Sequence, residues 1–409
     1  MWLAWGIILI AFQALATARL VPQFPDRALE WTTKFTGPGY QEDHVYLLDP
    51  FMNDQVAWDS EYYLSIAIGG YDDPRAPHLT PNGRVVTSPQ GIVSPGSVAS
   101  NYAFFPFYPL VMRILSYPLR ILGLKPIATA TLAGVLISAL GTLFGMLALF
   151  DLTRDSLGEE GALRAAFYLI IFPTGFFLIQ VYTEGLFVGL AFGCLAMLKR
   201  QQWILAALLA LAATMTRAVG VALVIPMLLT WIRTGEWRQI YYEKIIARPV
   251  GRGLLAFSPA IMFLLWRSSY LGLNFQYIED NIYGRGVLHL DKAFYLWSEA
   301  FRTMLDGTNP QHTAYYLTEF LGLAIGVIAC IATIRTHPEI GWFSFAVLLI
   351  SWGSGEAQSL HRYILGAPAV FITLARWGNN PVFDRAWTIL SILLMGLYAM
   401  LFAFNMWVA

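Results

Sequence analysis

Four charged side chains in this sequence combine reactive chemistry with an unusual setting. Asp59 stands in the aromatic segment "AWDSEYYLSIAIGGY", and Glu184 sits at a tight turn between two apolar runs. Arg217 interrupts the apolar run "ALLALAATMTRAVGVALVIP", and Arg362 borders another, beside Glu356 and His361. Arginine grips a phosphate diester through bidentate, charge-assisted bonds. A carboxylate nearby takes a proton from an attacking hydroxyl. Together they suit transfer of a group from a lipid phosphate to an alcohol at one face of a membrane. Each residue also has a structural reading: Asp59 as a helix N-cap, Glu184 as a solvated turn carboxylate, and the arginines as side chains snorkelling to headgroups. Trp58, Tyr62 and Tyr63 have rings suited to stacking on a sugar, and equally suited to anchoring at a membrane interface. Glu61 is a second carboxylate in the same segment, a binding candidate or an ordinary loop charge.

The elements that must position these groups are membrane helices. Of 409 residues, 57% are hydrophobic and only 13% charged, where a soluble chain carries about 25%. Apolar runs of 15–24 residues recur, near the length that crosses a ~30 Å hydrocarbon core as a helix. The fold class is an all-α polytopic membrane protein, one integral-membrane domain over residues 1–409. The net charge of zero gives no basis for nucleic-acid binding. Cys194 and Cys330 both lie in apolar runs, so neither a disulfide framework nor a metal set is available. No Walker motif, GxGxxG fingerprint or His/Cys metal spacing is present, and neither cofactor nor divalent metal is expected. Asp72-Asp73 and the "EDH" at 42–44 read as solvated loop charges. Residues 1–21 lack the basic start of a signal peptide and read as a retained span.

Eleven candidate spans follow: 1–21, 127–150, 165–181, 183–198, 203–215, 218–232, 252–272, 315–334, 341–353, 362–377 and 386–408. Ten Lys and Arg fall in the loops 199–202, 233–252, 335–339 and 376–385. The positive-inside rule makes these four cytoplasmic together. The opposite set, 22–103, 182–184, 216–217, 273–314 and 354–362, is then extracytoplasmic and holds the candidate chemistry. Loop 22–103 carries ten acidic against four basic residues. The count of crossings requires 104–122, with three prolines and two arginines, to be an interfacial or re-entrant helix. The pairs 203–215/218–232 and 341–353/362–377 are short, so their turns, bearing Arg217, Glu356, His361 and Arg362, sit below the membrane surface in a polar recess. Residues 58–71 suggest a short amphipathic helix on the outer leaflet. Residues 69–101, rich in Pro, Gly and Ser, read as a mobile loop: a lid or a surface insertion.

Several segments resemble, in order, those of the GPI mannosyltransferase II (PIG-V) family. "WDSEYYLSIAIGGY" is similar to its WD-x-E-x-[FY]-L-x-I-A-x-x-G-Y segment, and "NYAFFPFYPL" (101–110) to its N-[FY]-A-F-F-P-x-[FY]-P-L segment, with 72–100 as an insertion between them. "FPTGFFLIQVYTEGLFVGL" (172–190) resembles the family's Y-[ST]-E hairpin, and "QSLHRYILGAPAVF" (358–371) its late Q-x-x-x-R-[FY]-L segment. "LAATMTRAVGV" (211–221) keeps the family's arginine at Arg217 but has Ala218-Val219 where Ser-Asn is usual.

The family belongs to the GT-C glycosyltransferases. The resemblance implies a bundle of about eleven transmembrane helices whose long first extracytoplasmic loop contains interfacial helices. It implies an inverting transferase that moves mannose from a dolichyl-phosphate-type donor without a nucleotide-sugar. Asp59 becomes the catalytic base, and Arg217 and Arg362 contacts to the donor phosphate. Trp58, Glu61, Tyr63, Tyr182, Glu184, Gln358 and His361 complete the substrate-binding candidates. The expected partners are a polyprenyl-phosphate sugar, a glycolipid or other hydroxyl acceptor, and membrane lipid. The expected location is a prokaryotic plasma membrane with an extracytoplasmic site, or the ER membrane with a lumenal one. Two alternatives remain: a GT-C enzyme for another lipid-linked sugar such as arabinose or glucose, and a transporter or lipid flippase. A flippase would show inverted repeats and broken helices at the midplane, and no repeat is visible in the sequence.

Overall fold

The computed structural model describes residues 1–409 apart from 38, 236, 239–246 and 287, so much of the expected basic loop 233–252 lies outside the described residues. In chain order the principal helices begin with α1 (Trp2–Arg19), α2 (Ser60–Ile68), α3 (Phe107–Leu119), α4 (Pro126–Ile171) and α5 (Glu184–Lys199). They continue with α6 (Trp203–Thr216), α7 (Val224–Arg233), α8 (Ala247–Arg267), α9 (Tyr270–Ile278) and α10 (Leu290–Asp306). The last four are α11 (Pro310–Ile334), α12 (Pro338–Trp352), α13 (Pro368–Trp377) and α14 (Pro381–Ala403). Among the described residues, five helices are long and apolar enough to cross a membrane: α1, α4, α8, α11 and α14. The protein is an all-α polytopic membrane protein in which α6, α7 and α12 are shorter apolar helices.

The expected spans 127–150 and 165–181 take a different form. The first and the opening residues of the second belong to α4, a helical run of 46 residues that breaks at Gly158, where φ is 70° and ψ 177°. Only glycine adopts such a backbone without strain. The run stops at Ile171 because Phe172 precedes Pro173 and is forced extended, with φ −51° and ψ 146°. Residues 172–183 therefore form a buried, irregular turn rather than the end of a span. Helix α5 returns from that turn against α4 through glycines. A Cβ on Gly141 would lie 2.5 Å from the Gly185 carbonyl oxygen, an approach that only small residues permit between membrane helices.

The basic loops gather at one end of the bundle. Arg233 pairs with Glu339, Arg376 donates to Thr336 Oγ1 at 3.1 Å, and the charges of Lys199 and Arg376 both act on His337. Glu184 and Arg217 occupy the opposite ends of α5 and α6 from residues 199–202. Fourteen to sixteen helical residues, about 20–24 Å of rise, separate the two sets.

The segment expected as a surface helix is helical, but seven of the nine residues of α2 are buried, so it packs inside the protein instead of lying in lipid. Its last turn is held from α3: Arg113 Nε and Nη2 donate to the Ala67 and Ile66 carbonyls, both at 2.8 Å, satisfying carbonyls that a helix end leaves open. At 13 residues α3 is only about 20 Å long, in keeping with a helix that does not span.

The 69–101 segment, expected as a loop, carries a small sheet. His78–Leu79 pairs antiparallel with both Val85–Val86 and Val98–Ala99 in a small three-stranded sheet. Leu79, Ala99 and Tyr102 pack against Ile278 of α9. Asp73 is likewise no solvated charge. It is buried, accepting from Tyr46 Oη, from Ser65 Oγ at 3.2 Å and from the Arg75 backbone at 3.0 Å. Burial opposes its ionisation, but the Arg75 and Tyr46 hydrogen bonds hold its carboxyl below the usual range.

Candidate active site

A cavity of about 960 Å³ opens among α2, the 217–219 turn, the α8–α9 segment, the residues after α9, and the loop that follows α12. Asp59 lines it from the N-cap position of α2. Its backbone N–H donates to Tyr182 Oη at 3.1 Å, yet its carboxylate makes no capping bond. That carboxylate instead accepts from Arg362 Nη1 at 3.2 Å on Oδ2 and keeps 30% of its side chain exposed. Trp58, the residue before it, has φ 50°, a left-handed backbone that bulky residues rarely adopt. Its indole donates to the Met406 carbonyl at 3.2 Å, and its ring meets Trp31 and Trp407 edge-on at 5.9 and 5.2 Å.

Behind Asp59 runs a chain of alternating charge. Glu184, at the start of α5, pairs with Arg217 Nη1 and lies 3.4 Å from Arg362 Nε. Arg217 also donates to Thr183 Oγ1 at 2.9 Å. It occupies an extended residue between α6 and the following turn, with φ −152° and ψ 144°. The turn is tight because Gly220 packs on Ala213, where a Cβ would lie 2.6 Å from backbone atoms. The Arg362 guanidinium lies among Phe177, Tyr182 and Tyr363, 5.2–5.4 Å from each ring centroid. In such a low-dielectric setting paired charges hold their geometry strongly, and removing one partner strands the other.

The Arg362 turn is fixed from α11. Glu319, fully buried there, accepts from the Tyr315 hydroxyl at 2.8 Å and from the His361 backbone N–H at 3.1 Å. Tyr315 Oη in turn accepts from the Ser359 N–H at 3.2 Å, holding Ser359 in a left-handed conformation with φ 66°. The His361 ring lies 3.0 Å from Glu319.

The candidate set therefore divides. Asp59, Trp58, Glu61, Tyr63, Arg217, Gln358 and Arg362 line the cavity, while Tyr182 and Glu184 stand behind its wall. His361, expected to bind substrate, faces Glu319 instead, because the one-turn helix Leu360–Tyr363 turns adjacent side chains in different directions. Glu61 is engaged by His44 Nδ1 at 2.8–2.9 Å from its two oxygens, so the "EDH" histidine is a buried partner and not a solvated one. Among the described residues no group of three His, Cys, Asp or Glu side chains gathers as a metal site.

Sequence reasoning missed Glu319, Glu279 and Arg285. A lone acid at the head of the apolar run 319–334 is a signal in itself. Glu279 and Arg285 gave none, since charges are ordinary in a polar loop. Both line the cavity from the segment after α9. Burial pushes the Glu279 carboxyl up to about 7; the Arg285 charge opposes the rise, and Asp59 and Asp280 add to it.

Solved structures similar to this chain include ArnT from Cupriavidus metallidurans bound to undecaprenyl phosphate. That match has 16% identity and a TM-score of 0.46, and covers 92% of this chain and 76% of that one. Another is the oligosaccharyltransferase AglB from Archaeoglobus fulgidus with an inhibitory peptide and a dolichol-phosphate. Here identity is 14% and the TM-score 0.42, over 98% of this chain and 55% of that one. No curated protein matches. The family model described as mannosyltransferase (PIG-V) matches residues 96–289. Three of the five motif segments, 101–110, 172–190 and 211–221, fall inside that match, and through residues 96–289 the chain is similar to the PIG-V mannosyltransferases.

Proposed function

We propose that this protein is an inverting glycosyltransferase of the GT-C type. It moves a sugar, mannose on the family resemblance, from a polyprenyl-phosphate donor to a hydroxyl of a lipid-linked or other acceptor. The observation that carries this reading is Asp59: a cavity-facing carboxylate excused from capping its helix and oriented through one oxygen by Arg362. The acceptor hydroxyl gives its proton to the other Asp59 oxygen as its own oxygen attacks the anomeric carbon. The bond from that carbon to the phosphate oxygen breaks with its electron pair leaving to phosphate, so the configuration inverts and polyprenyl phosphate departs. Charge building on the phosphate is met by arginine, so neither cofactor nor divalent metal takes part in this reading. Trp58, with Trp31 and Trp407, supplies aromatic surface beside the base for a sugar ring. The cavity faces the non-cytoplasmic side, away from the gathered basic loops.

The test is transfer of radiolabel by purified enzyme from polyprenyl-phosphate mannose, and from its glucose analogue, to acceptors in membrane extracts. Label from the mannose donor is expected in a hydroxyl-linked product. Label only from another donor would keep the mechanism and replace the sugar. Label from neither would contradict the reading.

A further inference from the structure

Arg217 and Arg362, the arginines that the family resemblance assigns to the donor phosphate, are both committed inside the protein. Glu184 takes both, and Asp59 also takes Arg362. An incoming anion would have to displace or share these pairs. Two other arginines line the cavity with no carboxylate within salt-bridge distance among the described residues: Arg267, at the end of α8, and Arg285.

Of these two, Arg285 stands in the electrostatic neighbourhood of the reaction. Its charge acts on Tyr363, Glu279, Tyr283 and Asp59. Its Nε is buried without a hydrogen-bond partner, and its guanidinium lies 5.6 Å from the Tyr283 ring centroid. The turn that presents it is fixed on both sides. The Arg285 N–H donates to the Glu279 carbonyl at 3.2 Å and the Gly286 N–H to the Ser354 carbonyl at 3.1 Å. Lys292 holds the Gly284 carbonyl and, at 3.0 Å, Glu356. A half-buried guanidinium with an unpartnered Nε, carried on a fixed turn, suits an oxyanion as its partner. The same wall continues into Phe105, Trp266 and Phe275, packed ring to ring at 4.2–5.5 Å, an apolar surface suited to a prenyl chain.

We infer that Arg285, and not Arg217 or Arg362, holds the donor phosphate and stabilises the second negative charge that phosphate acquires as the sugar leaves. The inference rests on the function proposed above. In it, Arg362 orients Asp59, and Glu184 with Arg217 fixes Arg362. The donor diester carries one negative charge and departs as a monoester carrying a second, so a guanidinium at this position gains interaction along the reaction path. Its fork geometry suits two phosphate oxygens at once.

The experiment measures binding of a C10 polyprenyl monophosphate to the detergent-purified full chain by calorimetry, with dihexanoyl phosphatidic acid in parallel. Arg285→Gln is expected to weaken binding on the order of tenfold or more, as loss of a charge-assisted contact does. Arg285→Lys should weaken it by several-fold, and Arg302→Gln, an exposed pair on α10, should leave it unchanged. If Arg285→Gln does not yield monodisperse protein, Arg285→Lys decides, and unchanged affinity in that variant overturns the inference. Wild-type binding with an equally good Arg285→Gln variant overturns the inference and leaves the proposed function standing. A larger loss in Arg267→Gln than in Arg285→Gln also overturns it, as does equal affinity for the phosphatidic acid, which would mark a phospholipid site. No binding by the wild type brings down this inference and the proposed function together.

Discussion

A carboxylate at the head of a helix ordinarily folds back onto the N–H groups of the first turn. Asp59 gives one oxygen to Arg362 at 3.2 Å instead and has no protein hydrogen bond on the other among the described residues. Its residue type and aromatic setting were legible in the sequence; its freedom from capping was not, because that depends on an arginine 303 positions away. Glu279 is the complementary case, invisible in a polar loop until burial and the Asp59 charge act on it. With its carboxyl pushed up to about 7, Glu279 is largely protonated at pH 6 and ionised at pH 8. The charged groups around it are Arg285, Asp59 and Asp280. Ionisation puts a second anion beside the phosphate that Arg285 holds, so the KM for donor should rise several-fold from pH 6 to 8. Glu279→Gln should flatten that rise while kcat keeps its wild-type pH profile. Steady-state kinetics of both forms at the two pH values check this, and an equal slope in both would remove Glu279 from the site.

At the scale of elements, the irregular pieces carry the site and the regular ones hold them. The break after Ile171 opens the irregular turn that ends at Thr183 and Glu184, the partners of Arg217; Arg217 itself is the extended residue after α6, and the left-handed Ser359 stands three residues before Arg362. Hydropathy located the apolar runs but not these interruptions, because a run of apolar residues reads alike whether it crosses or turns back. Pro173 and Gly158 are the signals that the sequence holds for them. Glu319 ties α11 to the turn bearing Arg362 through a direct bond from the His361 N–H and a two-bond relay through Tyr315 to Ser359. Glu319→Ala leaves the Tyr315 hydroxyl and the His361 N–H unpaired in a buried place, a cost of about 1–3 kcal/mol each where water cannot enter. Lower thermal stability and a reduced kcat at near-wild-type donor KM are expected. Glu319→Gln, which keeps the shape and one of the two accepting oxygens, should recover part of both. A variant with unchanged kcat would show that the α11 contact does not position Arg362.

For the whole molecule, the arrangement of ends matters more than the number of crossings. The expectation that four basic loops share one side is matched by their convergence around His337 and Glu339, and the charged cavity lies at the other ends of the same helices. The proposed function requires that side to be non-cytoplasmic, and cysteine labelling reads it directly. Both native cysteines are buried, so background labelling by an impermeant maleimide is low. Asn82→Cys, on the small sheet's exposed turn, should label on intact cells, and Gln202→Cys should label only after lysis; the reverse pattern would invert the orientation. The most direct measurement of the central claim is transfer by Asp59→Asn beside wild type, using the radiolabelled donor, with polyprenyl-phosphate binding measured on the same samples. The account predicts that transfer falls by about a hundredfold or more, the usual weight of a general base, while binding and thermal stability stay near wild type. A stable Asp59→Asn protein that keeps half the wild-type rate would contradict it.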